Sequence, residues 1–562
     1  MIAAELKPAP TLVACLEEAA RDDRFAISFF RRGNALEQLG YAELFARARS
    51  AASFLRENGV GPQGRVALVL GTCSDLVAAY FGVLMSGAMP FLLATPRLGR
   101  SPDYARSIGA QLQAAGAGLV LTDRASARHL ESAVLAAHCR LAFVDDMPTD
   151  GPEAGLAQPE PGDVALIQFS SGTTNDPRPI ALSHANIIAN CRAIIETFPG
   201  DLDEHGGCSW LPLHHDMGLI GGLLTAVVAG RSTCLMRPED FITRPASWLR
   251  LIQTSGATIS PAPNFALQIC ADRIKDSELE DLRLDRWQIA LIGAETVHEQ
   301  TLRLFADRFA AYGFSYGSFT PVYGLAEATL AVSFTPVGRG PLAMRLDRAL
   351  LAEGRAVENA DGVSLVSVGR PLAGIEIEIR DQDGKELGER QVGRIFVQAP
   401  SVMLGYLDQP DQTKRVVGSD GWLDTGDLGF LLEGELFIYG RARDLIILNG
   451  RNHDPVQIER SLDGVAGLNH DRAAAFAIEE PDRGTEGFVL LVERERGAET
   501  APEALATAAR EAVIQETGLV PSLVGVLETA RLPRTTSGKI RRGAARTQHL
   551  SNQYDYLAIS RR

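Results

Sequence analysis

The run Phe169-Ser-Ser-Gly-Thr-Thr-Asn-Asp-Pro-Arg178 decides how this chain is read. Ser170, Ser171, Gly172, Thr173 and Thr174 follow the apolar run Val164–Phe169 directly. A strand that ends in such a loop gathers backbone N–H groups and hydroxyls at one point. That donor set suits phosphate oxygens, and Arg178 supplies the charge a phosphate loop would use. A plain surface turn rich in Ser, Thr and Gly reads the same way, so the stretch needs support from elsewhere. The G-x-x-x-x-G-K-[ST] pattern is absent, because Ser537-Gly538-Lys539 has Pro533 where the first glycine belongs. No G-x-S-x-G elbow is read anywhere in the chain, so a hydrolase serine at Ser170 or Ser171 is not expected.

The chain has 562 residues, too many for one core, so two to four domains are expected. Its formal net charge of −15 argues against nucleic acid as a partner. The basic stretch Arg531–Arg546 is a local exception that anionic substrates could use. Seven cysteines, scattered from Cys15 to Cys270 without a C-x-x-C pair, point to a reducing compartment rather than disulfides or zinc. The N-terminus shows no basic segment followed by an apolar one, so the expectation is a cytoplasmic protein. The uncharged run Leu76–Ala94 is long enough to span a bilayer, but its Gly82, Gly87 and Pro90 favour a buried helix. No transmembrane segment is expected.

Helical patterns alternate with short apolar runs as far as Gly440. Arg65–Leu70 and Trp287–Ala294 read as buried strands, and Ser183 as the N-cap of a helix. Thr296-Val-His-Glu299 reads as a capping box opening a helix that stops at Gly313. Gly293-Ala294-Glu295 therefore falls at a strand's carboxyl end, where α/β sheets bind ligands, although an ordinary turn has the same look. Ile375–Ile379 and Arg394–Gln398 read as strands, and Leu431–Ile438 as a hairpin turning at Glu433-Gly434. A charged joint, Gly440-Arg-Ala-Arg-Asp444, sets the main boundary: residues 1–440, then 441–562.

Six motifs in order now give the chain a family likeness. Phe169–Ile180 resembles the phosphate loop of the adenylate-forming superfamily, which comprises acyl-CoA synthetases, nonribosomal adenylation domains and luciferases. Trp210–Gly218 resembles the motif whose histidine borders the acyl pocket, and Tyr323-Gly-Leu-Ala-Glu327 the adenine and magnesium motif. Leu423-Asp-Thr-Gly-Asp427 resembles the ribose motif, and Gly440–Gly450 the hinge and mobile loop. Pro533–Lys539 resembles the C-terminal motif that carries the catalytic lysine. His214-His215-Asp216, Ala262–Ala266, Gly293–Glu295 and Gly450–His453 look most like the fatty acyl-AMP ligase branch. The stretch Pro341–Ser367 resembles the insertion that limits coenzyme A use in that branch, though a surface excursion would look alike.

The resemblance implies an α/β fold with a large multi-subdomain N-terminal domain and a small mobile α+β C-terminal domain. It implies a reaction in which a carboxylic acid and ATP give an acyl-AMP. The acyl group then passes to the phosphopantetheine thiol of an acyl carrier protein or to coenzyme A. Lys539, Glu327 and His215 would be catalytic, with Glu327 and Thr173 holding Mg²⁺. Ser170, Ser171, Gly172, Thr173, Thr174, Arg178, Gly293, Ala294, Glu295, Tyr323, Gly324, Leu325, Asp427 and Arg441 would bind ATP or AMP. Trp210, His214, Asp216 and Phe265 would meet the acyl group, and Arg443 would be the hinge.

These residue types suit the chemistry. Attack of a carboxylate on a phosphate brings two anions together, so the site must supply positive charge and fixed donors. A flexible ammonium such as that of Lys539 does this, and Glu327 suits a hard cation that bridges phosphates. The chain departs from the family at Asn175, Arg178 and Pro179, which stand where Gly, Lys and Gly are usual. Proline lacks an N–H and fixes φ, so Pro179 is expected to weaken the hold on the β- and γ-phosphates. Two other readings stay open. One is an acyl-CoA ligase, including one that accepts ready-made acyl-AMP. The other is a non-catalytic module that binds acyl-AMP or a carrier protein.

Overall fold

The structure, a computed structural model, describes residues 9–31, 34–96, 102–148, 157–169, 177–448, 451–468, 470–480, 485–535 and 539–561. The expected phosphate-loop residues Ser170, Ser171, Gly172, Thr173 and Thr174, with Asn175, lie outside them. The fold is mixed α/β, and its largest element is a nine-stranded sheet. Six of its strands, Ala26–Arg31, Thr233–Met236, Gly207–Ser209, Ile259–Pro263, Ile289–Gly293 and Phe319–Gly324, run parallel. Parallel strands are buried on both faces, which is why they read as apolar runs in the sequence. A second, four-stranded parallel sheet is built from Arg65–Val69, Met89–Leu92, Leu119–Thr122 and Arg140–Phe143.

The run Leu76–Ala94 does not form one long helix. It splits into the buried helix Ser74–Met85 and the strand Met89–Leu92, with Gly87 at φ +79° turning the chain between them. Among the described residues no helix is long and apolar enough to cross a membrane. Ser183 caps the helix His184–Ile195 through a capping box with Asn186. Glu433 and Gly434, both at positive φ, make the hairpin turn between Leu423–Leu432 and Glu435–Arg441.

One local reading is corrected. Thr296 does not cap the next helix, which begins at Glu299 after His298. The partners of a capping box are already taken. Asn264 Oδ1 accepts the His298 N–H at 3.1 Å, and Glu299 binds Arg303 at 2.7 Å and the Ser364 hydroxyl at 2.8 Å. The stop at Gly313, with φ +89°, is as read.

The stretch Pro341–Ser367 forms a small packed unit. Its strands Ala343–Leu346 and Val363–Val366 pair antiparallel, and the helix Arg348–Ala352 is capped by Asp347. Leu346, Leu351, Ala356 and Leu365 share a core with Phe430 and Phe437 of the hairpin. After Arg441 the chain builds a separate sheet from Ala473–Glu480, Thr485–Glu493, Leu523–Leu527 and Ala558–Arg561. Its two apolar clusters contain no buried residue before Ile446.

Asp454 joins the two regions. It caps the helix Pro455–Arg460 and lies 7% exposed beside Gly440. Burial pushes its carboxyl up to about 7; Arg542 opposes the shift, and Glu459 and Asp444 add to it. A raised folded-state pKa gives stability that is full below the ordinary carboxylate range and lost as pH rises through about 7. Thermal unfolding of the native chain should therefore move to lower temperature between about pH 4 and about pH 7.5. Asp454→Asn keeps the cap and should flatten that slope in a calorimetric pH series. An unaltered slope would show that Asp454 does not titrate in this range.

Candidate active site in the cleft between the two regions

One continuous cleft of about 2480 Å³ runs between the carboxyl ends of the parallel strands and the C-terminal region. The strand Phe319–Gly324 carries Tyr323 and Gly324 to its rim, and the turn Ala326–Ala328 carries Glu327. Backbone approach is closest at Gly324, where a Cβ would sit 1.6 Å from the Leu330 carbonyl oxygen. No other residue fits there. Beyond it Thr329 is held at φ +73°, its hydroxyl donating to the Ser401 carbonyl at 2.6 Å. A β-branched residue in the left-handed region is strained, and here buried contacts enforce it.

The hairpin brings a second wall. Asp427 and Arg441 are cross-strand partners, and Arg441 Nε lies 3.1 Å from Asp427 Oδ1. The Tyr323 hydroxyl donates to Asp427 Oδ2 at 2.8 Å. Each carboxylate oxygen has one partner and keeps a lone pair for another donor. Burial pushes the Tyr323 phenol well up, and the Asp427 charge pushes it further, so the hydroxyl stays a donor. Arg443 lies two residues on, with its Nε 3.7 Å from Asp444 Oδ1. The Ala442 N–H still donates to Gly426, so the hairpin's pairing reaches past Gly440.

Lys539 enters from the C-terminal region, its N–H donating to the Thr535 hydroxyl at 3.0 Å. It lines the same cleft as Tyr323, Glu327, Asp427 and Arg441. Burial pulls its ammonium pKa down; the Glu295 carboxylate opposes this most, and those of Asp216 and Asp427 add to the opposition. Glu295 is fixed in turn, its Oε1 accepting the Phe265 N–H at 2.6 Å. Ala294 beside it stands at φ +66°, a second strained non-glycine at the rim. Gly293 lies beneath the surface, where a Cβ would meet Val322 at 2.6 Å.

His215, Asp216 and Leu325 line the cleft, whereas His214 does not. The His214 ring leans on that of His215 at 4.6 Å, and its carbonyl accepts from Gln168. Burial raises the Asp216 carboxyl above its ordinary range, opposed by the Met217 N–H and then Lys539. A π-helix, Met217–Leu224, follows, the wide turn found at functional sites. Trp210 stacks on Phe241 at 3.9 Å and is 3% exposed, so it belongs to the aromatic core as much as to the cleft. Phe265 is more open and lies edge-on to it.

Three further findings bear on the sequence reading. Pro179 is not in a phosphate-wrapping loop but is the first residue of the strand Pro179–Ser183, opposite Phe169. Proline is tolerated at that position, and its carbonyl still accepts from Leu407 at 2.7 Å. A G-x-S-x-G string does occur at Gly313-Phe-Ser-Tyr-Gly317, but Ser315 only caps a short turn, accepting from Gly317. Tyr406, which no motif singled out, donates its hydroxyl to Glu327 Oε1 at 3.0 Å.

Among the described residues no group of three or more His, Cys, Asp or Glu side chains gathers as a metal cage. A lone carboxylate such as Glu327 fits Mg²⁺, which binds one or two carboxylates together with phosphate oxygens and water.

Residues 16–407 match the AMP-binding enzyme family. A Caulobacter vibrioides protein provisionally named acyl-CoA synthetase is 36% identical over 557 residues, covering 97% of this chain and 96% of its own. The long-chain-fatty-acid–AMP ligase FadD26 of Mycobacterium tuberculosis is 34% identical over 555 residues, 93% of each chain. A solved structure from work on fatty acyl-adenylate ligases of E. coli and L. pneumophila superimposes with a TM-score of 0.89. It is 32% identical and covers 97% of this chain and 98% of its own. The chain belongs to the AMP-binding enzyme family and is an adenylate-forming ligase.

Proposed function

We propose that the enzyme activates a fatty or related carboxylic acid with ATP and passes the acyl group to the phosphopantetheine thiol of a carrier protein. The observation that carries this reading is the convergence of Lys539 with Glu327 and the Asp427–Arg441 pair in one cleft. In the first step a carboxylate oxygen attacks the α-phosphorus in line. The new acyl–phosphate bond forms as the bond to the β-phosphate oxygen breaks, and pyrophosphate leaves. Lys539 offsets the charge that builds between the two anions. The Asp427 carboxylate accepts the ribose hydroxyls and Arg441 donates to the same sugar, while the Tyr323 ring lies against adenine. Glu327 and Thr173 would hold Mg²⁺, which supplies phosphate charge neutralisation when bound. Phe265 and the rim of Trp210 border the acyl group, with His215 at its carboxylate end.

In the second step the thiol sulfur attacks the acyl carbonyl and AMP leaves. The Pro341–Ser367 unit supports a carrier protein over free coenzyme A. It is packed against the hairpin and meets the C-terminal region through Glu353, 2.7 Å from Arg451. A second reading, transfer to coenzyme A, is favoured by the name of the Caulobacter relative.

Lys539→Ala should lower pyrophosphate–ATP exchange by about a hundredfold or more while the protein stays folded. Exchange at the native rate would remove Lys539 from the mechanism. With acid and ATP, the native enzyme should accumulate acyl-AMP despite added coenzyme A and discharge it to a phosphopantetheinylated carrier. Rapid acyl-CoA formation would favour the second reading. Pro179→Gly, at a strand position, should leave MgATP affinity within about twofold by calorimetry and lower the melting temperature. A large gain in ATP affinity would return Pro179 to the phosphate loop.

A further inference from the structure

The segment Met403–Leu407 ties together two parts of the phosphate side of the cleft. The Met403 N–H donates to the Glu327 carbonyl at 2.9 Å, and the Tyr406 hydroxyl to Glu327 Oε1 at 3.0 Å. In the other direction, the N–H groups of Leu404 and Leu407 donate to the carbonyls of Ala181 and Pro179 at 3.0 and 2.7 Å. Arg178, just before that strand, lies over the Tyr406 ring with its Cζ 5.6 Å from the centroid. Tyr406 thus meets a cation on its ring face and a carboxylate at its hydroxyl.

The tyrosine is itself held firmly. It is 5% exposed, its N–H donates to the Thr413 hydroxyl at 2.9 Å, and its backbone pairs with Ile180. A guanidinium and a carboxylate on one wall would close into a two-pronged ion pair if nothing separated them. Both would then be lost to a ligand. With the ring between them, one Glu327 oxygen is committed to the phenol and the other is left for a cation. Burial, and then the Glu327 charge, push the phenol's pKa up, so it remains a donor at working pH.

We propose that Tyr406 is a positioning residue that keeps Arg178 and Glu327 apart and aimed, the first at the phosphate oxygens that leave as pyrophosphate, the second at their cation. The inference rests on the adenylation reading given above. It also explains how an arginine serves where a lysine is usual: a planar cation can be stacked and steered by a ring, whereas an ammonium cannot be held flat.

Titration calorimetry on the full chain tests it, with MgATP and a non-hydrolysable acyl-AMP analogue as ligands. Tyr406→Phe keeps the ring and removes the hydroxyl. MgATP affinity should fall about tenfold, the scale of one hydrogen bond to a charged group. The analogue has no β- or γ-phosphate, so its affinity should stay within about twofold. The magnesium concentration that half-saturates nucleotide binding should rise. In Glu327→Gln the carboxylate that could collapse onto Arg178 is gone, so adding Tyr406→Phe to it should cost almost nothing more. Equal loss for both ligands, or full additivity in the double variant, would reduce Tyr406 to a packing residue and overturn the proposal; so would unchanged MgATP binding. Because binding is read directly, native protein that binds MgATP yet exchanges no pyrophosphate would count against adenylation and leave this test intact.

Discussion

Asp427 is a carboxylate only 5% exposed, and a charge so placed must be met from inside the protein. It is met twice, by Tyr323 from the end of a parallel strand and by Arg441 from the last residue of an antiparallel hairpin. These come from different sheets, so this contact fixes the hairpin relative to the large sheet. It also sets where the chain departs for the C-terminal region, and hence where Lys539 can arrive. Substituting Asp427 would leave a phenol and a guanidinium facing each other across the cleft with no acceptor between them. The geometry of the whole site depends on that one carboxylate.

Much of this was visible in the sequence because it is local. The buried strands read as apolar runs, Ser183 read as a cap, and Glu433-Gly434 read as a tight hairpin turn. Those features depend on a few consecutive residues and their backbone preferences. What escaped depends on residues far apart. The Thr296 capping box satisfied every local rule, yet Arg303 and Ser364 had already claimed its Glu299 carboxylate. Pro179 looked like a damaged loop because its partner, Phe169, ends the strand that precedes that loop. Tyr406 gave no signal, since its meaning comes from Glu327, which lies 79 residues away along the chain. The motif residues converge on the cleft, except that His214 and Gly293 stand behind its wall and Ser170–Thr174 lie outside the described residues.

Three departures from local rule lie at the cleft or next to it. Ala294 and Thr329 are non-glycine residues at positive φ, and Met217–Leu224 winds as a π-helix. Such strain persists only where surroundings enforce it, as the buried Thr329 hydroxyl bonded to the Ser401 carbonyl does.

The contact between the two regions is of a different kind. The apolar clusters after Ile446 are separate from those before it. Across the joint lie polar pairs: Arg451 with Glu353, and Arg460 with His298 Nδ1 at 2.7 Å. The exposed Arg451–Glu353 pair is worth about 0–1 kcal/mol and is screened by salt. An interface built from such pairs can be exchanged for another at small cost, whereas one built from a shared core cannot. The proposed two-step reaction, with Lys539 in for the first step and a thiol admitted for the second, would draw on such an interface.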